Sequence, residues 1–260
     1  KILYDNAYTR TDSYFDNSPL ASSGLPSKEE LELLNPWKDQ LSEEIFTKTY
    51  KPPISDGSGM PRDNLRVAKK ILEEEGWKIE NGKLMSEGKE FVFEFLIVSP
   101  SVERLALAFQ KTLETLGITM SVRTVDSSQY QARMLDYDFD MIKNSWRVSL
   151  SPGNEQQFYW GSDVGKKEGS KNYAGVDSPV VDLLIEKLIG AKTRDELTTT
   201  IHALDRVLLW GHYVIPLYHS AIDRIAYWNF LEYPDNIPLY GIVIESWWAN
   251  LEKRQQLKKQ

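Results

Sequence analysis

Apolar residues recur at helical spacing in several stretches of the chain, and the blocks between them are short enough to be strands, so the pattern predicts an α/β protein. Residues 1 to about 62 break this rhythm with turn signals at Asn17-Ser18-Pro19, Ser22-Ser23-Gly24, Pro52-Pro53 and Asp56-Gly57-Ser58-Gly59, around one short helix from Ser27 to Leu34. With Asp63 or Asn64 as N-cap, NLRVAKKILEEEGW places Leu65, Ala68, Ile71 and Leu72 on one face and stops at Gly76. Trp77 to Glu80 and Lys83 to Met85 flank Asn81-Gly82, a strong hairpin signal, and an apolar strand runs from Phe91 to Val98. Leu105, Phe109, Leu113 and Leu116 then mark a helix from Val102 to Leu116, and Ile118 to Val125 alternates as a strand, which together predict a parallel β-α-β crossover. A helix from about Ser128 to Leu135 precedes a third strand, Phe139 to Trp146.

Residues 147 to 178 read as a long loop, of the kind that more often faces a ligand than stands idle. Helices follow at Pro179 to Ile189 and Arg194 to Trp210, the second with Leu197, Ile201, Leu204 and Leu208 along one face. Tyr213 to Tyr218 and Ile222 to Trp228 are expected to return to the sheet as strands, after which the chain runs through Pro234 and Pro238 to Trp247-Trp248 and a polar tail. The organisation expected is an extended leading segment (1–62), an α/β body with a mixed sheet flanked by helices (63–228), and a return segment (229–260).

Composition narrows the function. The 260 residues are 41% hydrophobic, enough for a sizeable core, and carry a net charge of −7. An acidic chain lacks the cationic surface that general affinity for nucleic acid or anionic membrane requires, so no nucleic-acid partner is expected. Cysteine is absent, which removes disulfides, thiolate metal sites and cysteine nucleophiles together. No apolar run reaches the roughly 18 residues of a membrane span, so a soluble protein is expected. KILYDNAYTR has no apolar signal region, though a mature or truncated chain would have lost one. Aromatic residues make up 12% and include 8 Trp, which suits either stacking on a ligand or extra core volume.

Motifs for catalysis or metal binding do not assemble. His202, His212 and His219 are not at the i, i+4 spacing that pairs imidazoles on a helix face. Asp136, Asp138 and Asp140 open like a calcium loop, but Met141 stands where the turn glycine belongs and Arg147 where the bidentate glutamate belongs. Ser86-Glu87-Gly88-Lys89 has the S-x-x-K spacing but precedes a strand, and Asp56-Gly57-Ser58-Gly59 lacks the strand, lysine and helix of a phosphate cradle. Neither a cofactor nor a metal is called for, and no enzymatic activity is expected.

Several consecutive stretches resemble the C-terminal lobe of the oligopeptide-binding class (family 5) of ABC-transporter solute receptors. PRDNLRVAKKILEEEGW and NGKLMSEGKEFVFEFLI resemble that family's helix, hairpin and first strand; ERLALAFQKTLETLGITMSVRTVDSSQYQAR resembles its crossover helix and second strand. YDFDMIKNSW resembles the strand ending at a ligand-facing tryptophan, and KNYAGVDSPVVDLLIEKLI with HALDRVLLWGHYVIPLYH the closing helices. TRTDSYFDNS, SLSPGNEQQFYW, GSKNYAG and Ser246-Trp247-Trp248 look like the Yej-type subfamily. The resemblance implies a periplasmic-binding-protein-like lobe, a periplasmic location, oligopeptide or microcin C-like cargo, an ABC permease as partner, and a missing N-terminal lobe, so that this chain carries half a cleft.

The resemblance also points to site residues. Trp146, Arg147 and Ser149 follow the strand end, Asn172 and Tyr173 fall in a second loop that the family turns toward the cleft, and Tyr8 and Arg10 are placed near the hinge. The plain alternatives are a core place for Trp146, a solvated surface for Arg147, and a turn with its packing for Asn172 and Tyr173. Where the wider family usually carries an aspartate for the peptide's free amine, this chain has Ser149, and Arg147 offers donors instead. Cargo with a blocked or displaced N-terminus is therefore expected. The rival readings are the same fold with nickel, sugar or lipid-derived cargo, and a carbohydrate-active enzyme fragment.

Overall fold

In the computed structural model, residues 7–55, 59–165 and 167–257 are described, which leaves the Asp56-Gly57-Ser58 turn signal outside the described residues. Arg10–Leu217 form one unit, and Ala7–Thr9 together with the residues from Tyr218 onward form a second.

The first unit has two halves. Its leading part follows the short strand β1 (Thr9–Arg10), of which Thr9 belongs to the second unit, with α1 (Lys28–Leu34), a 3-10 turn at Asn35–Gln40 and α2 (Glu44–Thr47). The middle runs α3 (Arg62–Glu74), β2 (Lys78–Glu80), β3 (Lys83–Ser86), β4 (Lys89–Glu90), β5 (Val92–Ile97), α4 (Pro100–Glu114), β6 (Thr119–Thr124), α5 (Ser127–Leu135) and β7 (Met141–Ile142). The remainder is α6 (Glu155–Trp160), α7 (Ser162–Gly165), α8 (Pro179–Gly190) and α9 (Arg194–Trp210).

The α/β half follows the pattern of its sequence closely. Asn81 and Gly82 both take positive φ, the backbone of a tight hairpin turn between β2 and β3. Helix α3 ends in a Schellman motif, in which the Gly76 N–H donates to Glu73 and the Trp77 N–H to Leu72, with Gly76 at φ +84°. Its start differs from expectation: Pro61 is the N-cap, and Asp63 lies inside the first turn where a carboxylate favours the helix dipole. Ile71, expected on the buried face, is 55% exposed, because the face that packs is made by Leu65, Ala68 and Leu72 against Leu84, Leu116 and Ile118.

Strands β5 and β6 are parallel with α4 as crossover, and β7 is parallel to β5 on its other edge, giving the order β6-β5-β7. The antiparallel pairings expected of a mixed sheet belong to a separate meander, β2-β3-β4. Gly117 joins the two sheets: its carbonyl accepts from the Leu84 N–H at 2.7 Å, and a Cβ there would lie 2.8 Å from that nitrogen. Phe95, Ile97, Ala106 and Met120 make the core between the parallel sheet and α4.

The helical half has a larger core. Val180, Val181, Leu184, Ile185 and Leu188 of α8 meet Ile201, Ala203, Leu204, Val207 and Leu208 of α9, and Phe15, Leu20, Leu34 and Ile45 from the leading segment complete the cluster. The segment expected to be extended is therefore built into this core. Residues 147–178 hold α6 and α7, which the loop reading missed because each is only a turn or so long.

The second unit contains β8 (Tyr218–His219), β9 (Leu231–Glu232), a 3-10 turn at Ile244–Ser246, β10 (Trp248–Ala249) and α10 (Leu251–Leu257). There β9 and β10 pair as an antiparallel ribbon. The strands expected at Tyr213 to Tyr218 and Ile222 to Trp228 do not form beyond Tyr218–His219, and the parallel sheet gains no strand from them. Alternating apolar residues without a neighbouring edge leave backbone groups unpaired, and such a stretch stays irregular.

Candidate functional site

The parallel sheet itself marks a place for a ligand. From β5 the chain crosses through α4 to β6 on one side, then through α5 to β7 on the other side of β5. Connections leaving in opposite directions open a crevice at the carboxyl ends of neighbouring strands, which is where open α/β sheets take ligands. The segment emerging from β7 at that edge is Lys143 to Ser149.

Trp146 is half-buried, with its ring on Trp160 at 4.7 Å between centroids, and its indole N–H donates to the Lys171 carbonyl at 3.3 Å. Trp160 is 2% exposed, packs edge-on with Tyr14, and donates its own indole N–H to Gln156. It is a plug under the loop. Arg147 and Ser149 are exposed, and the Ser149 hydroxyl accepts the Ser151 N–H at 3.1 Å, a local turn bond that steadies the loop.

Asn172 is fully buried, contrary to a cleft-facing place. Its side-chain amide donates to the Gly161 and Val176 carbonyls at 3.1 and 2.8 Å, and its carbonyl oxygen accepts the Val176 N–H at 2.9 Å. All of this capacity is taken up in folding the loop, so Asn172 positions its neighbours and has nothing left for a ligand. Tyr173, next in sequence, is half-buried against Tyr137 and Phe139 at 6.1 and 6.5 Å. Burial, with Tyr137 beside it, pushes the Tyr173 phenol above its usual range, so it keeps its proton.

Trp146, Arg147, Ser149 and Tyr173 are thus on two loops tied by the bond from Trp146 to Lys171. Arg10 is exposed and stands beside the Tyr50 phenol, which packs edge-on with Trp210 at the end of α9. The sequence reading missed Tyr130, whose hydroxyl donates to the Lys143 carbonyl at 3.1 Å and fixes the start of the β7 loop. Only its place on α5 facing the next strand could have signalled this.

Other candidate chemistry has structural partners. Asp138 pairs with Arg133 at 2.8 Å, and Asp140 accepts the Glu94 N–H at 2.8 Å. Ser86 and Lys89 face each other across a tight turn in which Glu87 and Gly88 have positive φ. No group of three metal-binding side chains occurs among the described residues. In the second unit, Tyr227, Tyr233, Ile237 and Trp247 line a cavity of about 70 Å³.

A parallel sheet with this switch in strand order and helices packed around it has the architecture of a periplasmic-binding-protein-like lobe. Comparison with known proteins makes this specific. Residues 1–168 match the profile of bacterial extracellular solute-binding proteins, family 5 Middle, and the chain belongs to that family.

The chain is 42% identical over 252 residues to the probable peptide-binding protein YejA of Agrobacterium fabrum, covering 96% of this chain and 41% of that protein. It is 40% identical over 248 residues to the peptidoglycan-binding protein YepA of the same organism, covering 95% of this chain and 40% of that one. It therefore spans about two fifths of the length of these relatives. The fold matches that of the oligopeptide-binding protein AppA from Bacillus subtilis, solved with a nonapeptide, at a TM-score of 0.56 and 22% identity, over 85% of this chain and 45% of that one. No helix among the described residues is long and apolar enough to cross a membrane.

Proposed function

We propose that this chain is the C-terminal lobe of a periplasmic receptor that delivers oligopeptides or peptide-like compounds to an ABC permease, in the manner of the Yej type. The observation that carries this reading is the switch in strand order at the carboxyl ends of β5 and β7, where open sheets take ligands and where the segment with the exposed Arg147 and Ser149 leaves the sheet. An extended peptide offers main-chain carbonyls to such a loop, and closure of a first lobe supplies the opposite wall. The share of the relatives' length that lies outside this chain supports a second lobe. So does the second unit, where Trp228, Ile237, Leu239, Tyr240 and Ile244 are each more than half exposed; a surface this apolar suits burial against another lobe.

Arg147 and Ser149 also set a preference. A hydroxyl cannot replace an aspartate facing an ammonium group, a charge-assisted bond worth about 1.5–3 kcal/mol, whereas a guanidinium prefers carbonyl and carboxylate oxygens. Peptides with a blocked or displaced amino end are favoured, among them compounds of the microcin C type. Calorimetric titration of free and N-formylated tri- to decapeptides, into this chain and into a longer form carrying the first lobe, tests both parts. Saturable binding that strengthens in the longer form and favours the formylated series is expected. Equal affinity for the two series removes the preference; no peptide binding in the longer form removes the peptide reading and leaves sugar or nickel cargo.

A further inference from the structure

Helices α1 and α8 both pack on α9, and each uses its main inward face to do so. From α1, Glu30 reaches Arg206 and Leu34 enters the core; from α8, Leu184 and Leu188 enter it. The residues beside these on each helix are left to wall a gap between the two. Leu33 and Trp37 stand one turn apart on α1 and the 3-10 turn that continues it, and Leu183 and Lys187 stand one turn apart on α8. Together they bound a cavity of about 370 Å³. Pockets for small molecules run to roughly 300–1,000 Å³, so this one is large enough for a compact ligand.

Its chemistry is divided between floor and rim. Leu33, Trp37 and Leu183 are half-buried, and the first two are held from behind by the helical core. Glu32 and Gln40 on one wall and Lys187 on the other are exposed. None of these three polar side chains, nor the Trp37 indole N–H, has a partner among the described residues. Elsewhere exposed lysines of this chain close on nearby glutamates, as Lys83 does on Glu90 and Lys48 on Glu44, whereas Lys187 and Glu32 border the same cavity without forming an ion pair. A purely anionic or purely cationic ligand would meet one like charge at this rim. A zwitterion meets an opposite charge at each end, while the indole offers its face to an apolar group between them.

We infer that this cavity is a second ligand site, separate from the carboxyl ends of the parallel strands, and that it takes a small zwitterion with an apolar side chain, a free amino acid or a dipeptide. The ligand's ammonium group faces Glu32, its carboxylate faces Lys187, and its side chain lies on Trp37. None of these residues belongs to the loops on which the receptor reading rests, so the two stand or fall separately. Charges at an open rim are well solvated and contribute little each, so binding is weak and much of it comes from the apolar floor.

The test follows the indole N–H resonance of Trp37 in the isotopically labelled chain, identified by its loss in Trp37→Phe, during titration at neutral pH with phenylalanine, phenylalaninamide and N-acetylphenylalanine. Phenylalanine is expected to move that resonance saturably, with a dissociation constant of about 1 mM, and each capped form to bind about three- to ten-fold more weakly. Glu32→Gln should weaken phenylalanine and phenylalaninamide by a similar factor and spare N-acetylphenylalanine, which has no ammonium group. Lys187→Gln should weaken phenylalanine and N-acetylphenylalanine and spare phenylalaninamide. Both variants should keep the thermal midpoint of the wild type, since neither side chain has a partner to lose. A Trp37 resonance that phenylalanine leaves unmoved up to about ten times that concentration overturns the inference, as does equal affinity for all three probes. Neither of those results touches the receptor reading, which is decided by peptide binding in the longer form.

Discussion

Between Arg62 and Ile142 the chain is held mainly by neighbours in sequence: a hairpin, a helix closed by a Schellman motif, and a crossover whose two strands pair along their whole length from Val92↔Thr119 to Ile97↔Thr124. In the helical half the decisive contacts span most of the chain. The Ser13 hydroxyl donates to Asp205 across 192 residues, and Asp205 also accepts the Tyr14 N–H and both the N–H and hydroxyl of Ser22, at 2.7 to 2.9 Å. Next to it Arg206 donates to Glu30 and to the carbonyls of Ser23, Gly24 and Leu25. Asp205 and Arg206 are almost wholly buried, so helix α9 presents one carboxylate and one guanidinium inside its apolar face to clamp the leading segment. Local pairing can form early and cheaply in chain entropy, whereas the clamp closes a long loop and has to be complete to be favourable.

The sharpest way to break this contrast is Asp205→Ala. It strands four donors in an almost wholly buried site, and a loss of about 3 kcal/mol or more in denaturant unfolding is expected. Hydrogen exchange resolves where the loss falls: α9 amides should lose protection while β5 and β6 keep theirs. Equal loss in both halves means that they unfold as one cooperative unit, and the contrast fails.

The same contrast decides what could be read from the sequence. Helices α8 and α9, the Asn81-Gly82 turn and the β5-α4-β6 crossover are written in local spacing, and each forms where the pattern puts it, within a residue or two at its ends. Asp205 and Arg206 look like any charged pair on a helix, because nothing near them names Ser13, Ser22 or Glu30 as partners. Asn172 misled for a related reason: the resemblance turned its loop toward the cleft, but its side chain is buried and bonded to Gly161 and Val176, which is the turn-and-packing alternative. Of the candidate site, the resemblance marked the stretch with Trp146, Arg147 and Ser149, but the apolar pattern put a strand end at Trp146, whereas β7 stops at Ile142 and Trp146 lies inside the loop. The packing of Tyr173 on Tyr137 was not legible at all, since it depends on a left-handed residue at Tyr137, whose hydroxyl is bonded to Ser170.

A smaller effect tests the α/β half. Gly117 combines φ +76° with a backbone nitrogen 2.8 Å from where a Cβ would stand, while Gly82 has φ +82° and open space. Gly82→Ala should cost about 1 kcal/mol for its backbone conformation alone, and Gly117→Ala about 1–3 kcal/mol, because the sheets must part as well. Equal costs in denaturant unfolding would mean that the junction of the two sheets yields easily.

The smallest expected effect is the dependence of the clamp on pH. His202 on α9 donates its Nε2–H to the Pro19 carbonyl at 3.2 Å, since a carbonyl only accepts, and this leaves Nδ1 facing the Glu30 carboxylate at 3.6 Å. Neutral His202 brings a lone pair to that carboxylate; protonated, it brings a proton. The hydrogen bond with Glu30 therefore raises the His202 pKa against the opposing pull of burial. Burial pulls the Glu30 carboxyl upward, but hydrogen bonds from His202 and Arg206 carry it below its usual range. Because the folded pKa of His202 lies above its unfolded value near 6.5, its contribution is complete below about pH 6.5 and is lost as pH rises through the folded value. Glu30 works in the opposite sense, its contribution being lost only as pH falls below the ordinary carboxylate range. The difference in thermal midpoint between the wild type and His202→Gln should thus be larger at pH 5.5 than at pH 8.5, by an amount equivalent to less than about 1 kcal/mol for a pair that is partly open to solvent. A difference that is flat across this range would show that the imidazole holds Pro19 alone and that Arg206 carries the charge of Glu30 unaided.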